Sequence, residues 1–262
     1  MTGAAPARAD ERPETAWPAG FRPVGPAEVE HFRARGWLVL EDAVPAADLE
    51  VLRGHCLRVE REPELAFDAS KLPTPAGQPA ADPSVHSTLS IMWPRWREAA
   101  VHAWAARATA LLMGRPTELW FDQILFKPPG AGAGTPWHQD DPHMGASAYD
   151  LLVSCWLGLD DVGPDMGCLE VLDRAHDRGV LPELLAPPEA RGGAPWTPDP
   201  ARVVPCPVRR GGVVFHHGKT PHMTRRNESA RWRRTWIQHF TLAGAPRPTE
   251  ARHAARPATA PR

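Results

Sequence analysis

Two apolar rhythms divide the chain, one helical and one strand-like. Up to residue 113, apolar positions recur every three or four residues. Residues 26–36 carry Pro in the first turn, acids early, Arg late and Gly at the end, which predicts a short helix. Residues 37–41 (Trp-Leu-Val-Leu-Glu) predict a strand. Ala46, Leu49, Leu52, Cys56, Leu57 and Val59 predict a second helix over 45–62. Trp96, Ala99, Ala100, Ala103, Trp104, Ala108, Leu111 and Leu112 predict a third over 94–113, stopped by Gly114 and Pro116. Beyond it the runs become strand-like: 118–127, 137–140, 151–159, 167–172, 203–208, 212–216 and 233–242. The run at 151–159 is almost continuously apolar, as a strand covered on both faces requires. Pro-rich stretches at 62–88 and 177–201 have no period and predict long loops. Helices followed by about seven short strands predict an α+β fold. Its core would be a double-stranded β-helix (jelly-roll, cupin-like) flanked by N-terminal and mid-chain helices.

Length and charge narrow the class. A chain of 262 residues suits one domain, expected over 23–243, between a disordered arm at 1–22 and a disordered tail at 244–262. With 30 basic and 31 acidic residues the net charge is -1, so neither nucleic acid nor a membrane is an expected partner. Cys56, Cys155, Cys168 and Cys206 form no CxxC pair and read as free thiols. The opening residues lack an apolar signal core, and no apolar run reaches membrane length, so the expected location is cytoplasmic. No pattern bears on oligomeric state.

The candidate chemistry lies in the strand-rich half. In Trp137-His138-Gln139-Asp140, a His and an Asp two residues apart on an extended segment would project to one side and grip one metal ion. Taken alone, an HxD is more often a hydrogen-bonded surface pair. Residues 211–222, Gly-Gly-Val-Val-Phe-His-His-Gly-Lys-Thr-Pro-His, run from a turn through an apolar strand to His222 and offer a third ligand. Two imidazoles and one carboxylate form the facial set of non-haem Fe(II) oxygenases, which leaves three coordination positions open. Residues 224–230 read as a hairpin turn that returns Arg233 toward the same cavity, beside Thr224. An Arg fork holds a carboxylate through two charge-assisted hydrogen bonds. His216 and His217 compete with His222 and, being adjacent on a strand, would face opposite ways. Asp141 competes with Asp140 but would face away from His138, while His143 and His176 read as polar loop residues. Among 11 Trp, Trp37, Trp104 and Trp120 suit burial, Trp137 and Trp156 would flank the cavity, and Trp93, Trp96 and Trp196 are candidates to line a substrate pocket.

Taken together, Trp137–Asp140, the 167–176 run Gly-Cys-Leu-Glu-Val-Leu-Asp-Arg-Ala-His, residues 211–222 and residues 227–233 resemble the phytanoyl-CoA dioxygenase family of Fe(II)/2-oxoglutarate oxygenases. Phe32, Gly36, Trp37 and Leu38 fit as well, so the resemblance spans about residues 22–242. It implies that His138, Asp140 and His222 are iron ligands and that Arg233 binds the distal carboxylate of 2-oxoglutarate with help from Thr224. Gln123 and Lys127 match positions that face cosubstrate or substrate. Spacing to Arg233 favours His222 over His216 and His217. Asp165-Met166 and Arg174-Ala175-His176 depart from the family pattern beside the metal site. The implied cofactors are Fe(II), 2-oxoglutarate and O2, with ascorbate as an in-vitro additive. The implied reaction is hydroxylation of an unactivated C–H in a small-molecule natural-product intermediate, contacted by residues 62–95, 143–150 and 177–200. Because the ligand imidazoles must be neutral, activity should fade below about pH 6. Desaturation, cyclisation or epimerisation with the same cofactors is the alternative chemistry. A jelly-roll protein that binds zinc or a ligand without catalysis is the alternative of another class.

Overall fold

Two antiparallel sheets face each other in the computed structural model, which describes residues 16–66, 84–131, 134–143, 152–185 and 196–245. Ten strands occur among these residues: β1 (Trp37–Leu40), β2 (Val85–Ser87), β3 (Thr117–Lys127), β4 (Thr135–His138), β5 (Val153–Gly158), β6 (Leu169–Leu172), β7 (Val203–Cys206), β8 (Val213–His217), β9 (His222–Thr224) and β10 (Arg233–Leu242). The larger sheet has the order β1-β8-β5-β10-β3-β2 and the smaller β4-β9-β6-β7, the jelly roll expected from the strand pattern. Helices α1 (Pro26–Arg35), α2 (Ala46–Cys56), α3 (Arg58–Arg61), α4 (Leu89–Met92) and α5 (Ala100–Met113) precede most strands, and α6 (Asp140–His143) and α7 (Pro182–Leu185) lie between later ones.

Strand alternation sorts the larger sheet into two cores. Leu38, Leu40, Cys155, Leu157, Phe215, Trp236 and Phe240 face outward and pack with Leu49, Leu52, Trp104 and Leu112 of the helices. Val214, Trp156 and Ile237 face inward and meet Leu169, Val171, Cys206 and Val208 from the smaller sheet. The candidate site lies on this inner side, so its residues on the larger sheet share the parity of Trp156 and Ile237.

Several expected elements take a different form. The helix expected over 45–62 divides at Leu57 into α2 and α3. The one expected over 94–113 begins with a short turn at Trp96–Glu98, and the extended backbone of Ala99 (ψ 144°) restarts the chain into α5. Residues 225–232 do not form a hairpin, because β9 lies in the smaller sheet and β10 in the larger, so this segment crosses between sheets. Packing also begins before the boundary expected at residue 22. Phe21 is buried against Trp104, Trp104 Nε1 donates to the Arg22 carbonyl at 2.7 Å, and Trp17 lies under the Arg107 guanidinium. Residues 1–15 and 246–262, most of the expected arm and tail, lie outside the described residues, as do 67–83 and 186–195 of the two expected loops. Among the described residues no helix is long and apolar enough to cross a membrane.

Candidate active site

The register of the smaller sheet builds the first half of the site. His138 at the end of β4 is the cross-strand partner of His222 at the start of β9, and their ring centroids are 4.1 Å apart. Each ring is held the same way. His138 Nδ1 lies 2.9 Å from the Pro136 carbonyl, and His222 Nδ1 lies 2.9 Å from the Thr220 carbonyl. A carbonyl can only accept, so both imidazoles carry their proton on Nδ1 and turn the Nε2 lone pair the other way. Both Nε2 atoms face Asp140 Oδ1, at 3.7 Å and 3.6 Å. Ligand atoms of His138, Asp140 and His222 thus all lie within 4.8 Å of one another.

Asp140 reaches this position differently from the extended HxD expected. β4 stops at His138, and Asp140 is the first residue of α6, so a turn and not strand alternation brings the carboxylate back over the imidazoles. Gln139 holds that turn. Its amide donates to the Gly179 and Lys219 carbonyls at 2.9 and 2.6 Å, and its oxygen accepts from Leu181 N at 2.8 Å. Asp141 N donates to the Gly218 carbonyl at 3.1 Å, and a Cβ on Gly218 would overlap the Asp141 carboxylate. Asp141 therefore points away from the cluster, as expected.

Charge and burial prepare this cluster for a cation. Burial opposes ionisation of Asp140, yet His222, His216, His239 and His138 around it prevail and hold its carboxyl well below the usual range. Burial pushes His216 and His222 down to about 4, against the pull of Asp140, so both are neutral near pH 7. His239 is lowered by burial as well. Two Nε2 lone pairs and one ionised oxygen are the donor set a borderline divalent metal takes.

The other oxygen, Oδ2, faces the larger sheet. Ser154 Oγ donates to it at 2.7 Å, while His239 Nδ1 and His216 Nδ1 stand off at 3.7 and 3.8 Å. Neither Ser154 nor His239 belongs to a recognisable motif in the sequence. A signal existed in strand parity, since Ser154 is the one hydroxyl between Val153 and Gly158, and His239 lies six residues from Arg233 on the same strand.

A cationic end lies farther along β10. Arg233 and Lys127 are cross-strand partners on β10 and β3, and both are fully buried. Lys127 Nζ donates to Thr224 Oγ1 at 2.7 Å and to the Arg225 carbonyl at 2.9 Å. Since the Thr224 hydroxyl accepts from Lys127, its own hydrogen can be given to an anion. Arg233 donates to the Gly167 carbonyl at 3.2 Å, and its guanidinium lies 5.6 Å from the Trp156 ring centre. Buried Asn227 holds the crossing segment, donating to the carbonyls of Lys127, Pro128 and Arg231 and accepting from Ser229. Arg233, Thr224 and Lys127 thus come together, whereas Gln123 reaches the His–Asp–His end, its amide nitrogen 3.3 Å from His239 Nε2.

The remaining candidates sort by side. His216 faces Asp140, whereas His217 turns to His176, with ring centroids 5.6 Å apart, and its Nδ1 accepts from Lys219 N. Trp137 meets Trp196 edge-on at 5.9 Å. Trp96 is instead a core residue on the far side of the larger sheet, edge-on to Trp236 at 5.1 Å, and Trp93 stacks on His55. These two do not line the cavity, because they pack against the outer face of the sheet. Residues 144–150 and the side chain of His143 lie outside the described residues.

Known proteins resemble this chain in sequence and in fold. The family described as Phytanoyl-CoA dioxygenase (PhyH) is matched over residues 32–235. Phytanoyl-CoA dioxygenase domain-containing protein 1 of Mus musculus is 32% identical over 127 residues, 45% of this chain and 43% of that protein. A methylphosphonate hydroxylase of Gimesia maris is 31% identical over 139 residues, 50% of this chain and 48% of that protein. The chain therefore spans less than half the length of these relatives. Among solved structures, EvdO2 from Micromonospora carbonacea var. aurantiaca, complexed with 2-oxoglutarate, has a TM-score of 0.64 at 23% identity and covers 88% of this chain and 97% of its own. SnoK, a non-haem alpha-ketoglutarate-dependent carbocyclase from nogalamycin biosynthesis, has a TM-score of 0.65 at 21% identity, covering 84% and 85%. At these identities the structural likeness is one of fold. The family match, which takes in the strands carrying both the His–Asp–His cluster and the buried cations, shows that the chain belongs to the phytanoyl-CoA dioxygenase (PhyH) family of Fe/2-oxoglutarate-dependent oxygenases.

Proposed function

We propose that the protein is an Fe(II)/2-oxoglutarate-dependent dioxygenase that hydroxylates an unactivated C–H of a small-molecule intermediate in secondary metabolism. The observation that carries this reading is the convergence of His138 Nε2, His222 Nε2 and Asp140 Oδ1, with both Nδ1 atoms tied to backbone carbonyls. That donor set fits Fe(II), and in this reading the three residues hold it. Arg233, with Thr224 and Lys127, holds the far carboxylate of 2-oxoglutarate. With dioxygen, the iron and its cosubstrate supply the power to remove a hydrogen atom from an unactivated carbon and replace it with hydroxyl.

The chain's own residues prepare that chemistry. His138 and His222 keep their protons on Nδ1, so no proton has to leave either ring before metal binds. Lys127 and Arg233 offset the charge of a dicarboxylate in a buried site where Asp140 is already ionised. Gln139 keeps the turn between the ligands tied to residues 179–181 and 219, which limits their drift when the cavity fills. Trp156 under Arg233 and Ile237 on the same face present apolar surface between the two ends.

A second reading keeps the cofactors and changes the outcome. SnoK is a carbocyclase and SnoN an epimerase from the same biosynthesis, and both share this fold. Cyclisation, desaturation and epimerisation are therefore the alternatives, separated by product mass: hydroxylation adds one oxygen atom and epimerisation adds nothing. The founding test is anaerobic titration of the apoprotein with Fe(II) and 2-oxoglutarate, following the weak visible charge-transfer band of the chelate. A band in the wild type that needs far more 2-oxoglutarate in Arg233→Ala supports the assignment. No band in either protein would overturn it in favour of a non-catalytic binding protein.

A further inference from the structure

We infer that Ser154 and His239, backed by Gln123, form a one-way hydrogen-bond relay that positions Asp140 as a ligand through a single oxygen. The inference rests on the proposed metal site at His138, Asp140 and His222. The relay begins at Asp140 Oδ2, which accepts from Ser154 Oγ at 2.7 Å. A serine hydroxyl has one hydrogen, and here it goes to the carboxylate. The 2.8 Å contact between Ser154 Oγ and His239 Nδ1 therefore requires Nδ1–H to be the donor. A neutral imidazole protonated on Nδ1 has its lone pair on Nε2, and that atom meets the Gln123 amide nitrogen at 3.3 Å. The direction of every link is thus set by the carboxylate at its end.

The fold holds each link in place. Ser154 and His239 are cross-strand partners of β5 and β10 on the inner face, and both are buried. His239 stacks on Phe121 at 5.9 Å and 11°, which fixes the ring plane. A register shift in β10 against β3 falls between His239 and Phe240, the kind of irregularity that re-aims a side chain beside a functional site. His216, at 3.8 Å from Oδ2, is outside hydrogen-bond range and is not part of the relay. With Oδ2 occupied by Ser154, Oδ1 alone is offered between His138 and His222. A carboxylate that bound through both oxygens would fill one more coordination position and leave fewer for cosubstrate and dioxygen.

The test uses the full chain. Purified apoprotein is titrated with Co(II), and the visible ligand-field bands report both affinity and geometry. Ser154→Ala and His239→Phe, the latter keeping the stack on Phe121, are expected to weaken Co(II) binding by about 10- to 100-fold and to shift the bands. His239→Asn, which restores an N–H near the Nδ1 position, is expected to recover most of the loss. Because both residues act through one chain of bonds, the double variant should bind within about 2-fold of Ser154→Ala alone. Imidazole 15N spectra of the metal-free wild type should report His239 as the Nδ1–H tautomer. Variants that bind as the wild type does, losses that multiply in the double variant, or a His239 proton on Nε2 would each overturn the relay. Wild-type protein that takes no Co(II) while His239 is the Nδ1–H tautomer would instead sink the metal reading, so the two failures are distinguishable.

Discussion

Acid should unfold the metal-free protein far earlier than its carboxylates alone would dictate. His216 and His222 are buried beside Asp140 and pushed from 6.5 down to about 4, chiefly by desolvation. Their folded forms refuse a proton that the unfolded chain accepts. Stability from each is therefore fully present above the unfolded value of 6.5 and drains away as pH falls toward about 4. Between about pH 7 and about pH 5 each imidazole accounts for about 2 kcal/mol, and the pair for about 4 kcal/mol. Asp140 adds nothing in this window, since its depressed carboxyl loses its contribution only at lower pH. For a chain of this size that loss lowers Tm by about 8 to 16 °C, readable by circular dichroism on chelator-treated protein. His216→Phe removes one of these buried imidazoles without replacing a proposed ligand, so it should reduce the pH-dependent loss by about 2 kcal/mol. A Tm that stays level from about pH 7 to about pH 5 would refute the electrostatic account of the cluster. So would a His216→Phe variant with the full wild-type slope.

Other perturbations test the rest of the site. Arg233→Lys keeps the buried charge but loses the fork, and the 2-oxoglutarate needed for half-maximal chelation should rise about 10- to 100-fold, from the about 1.5–3 kcal/mol of one charge-assisted hydrogen bond. Asp140→Gly should abolish tight Fe(II) binding and turnover, and unchanged turnover would refute its role as a ligand. Gly167→Ala forces a side chain onto a φ of 72° and against the Arg225 carbonyl, so thermal unfolding should report a loss of about 2–4 kcal/mol. Asn227→Ala strips the donor from the Lys127, Pro128 and Arg231 carbonyls and should cost about 2–4 kcal/mol, with a weaker 2-oxoglutarate chelate as the secondary readout.

Strand runs with a clear parity were readable from sequence alone, and with them the two-sheet core. Trp156, Val214 and Ile237 share one face, while Trp236, Leu157 and Phe215 share the other, as alternation requires. The His–Asp–His cluster was readable as a set of residues but not as a geometry. Asp140 comes from the first turn of α6, and the Gln139 clamp, the Gly218 contact and the Ser154 hydroxyl, all long-range, place it. The crossing at 225–232 looked like a hairpin because turn-forming residues carry no information about which sheet the next strand joins. Trp96 and Trp93, candidates for a pocket lining, pack on the other side for a similar reason: proximity to a long loop in sequence does not decide which face of the sheet a ring meets. Ser154 and His239 were hidden because their partnership exists only across strands.

Strand β10 works as a ruler with marks on one edge. Arg233, Thr235, Ile237 and His239 occupy alternate positions, so the proposed anion anchor and the proposed carboxylate support are set about 20 Å apart along one backbone by counting residues. Such a ruler tolerates substitution more readily than length change. One residue inserted or deleted between 233 and 239 would leave Arg233 in place and turn His239 toward the helices, cutting the enzyme in two without removing a single functional side chain. Variation in length among natural relatives or engineered libraries should therefore be confined to the connections between strands, where substrate choice can change while the spacing of the chemistry stays fixed.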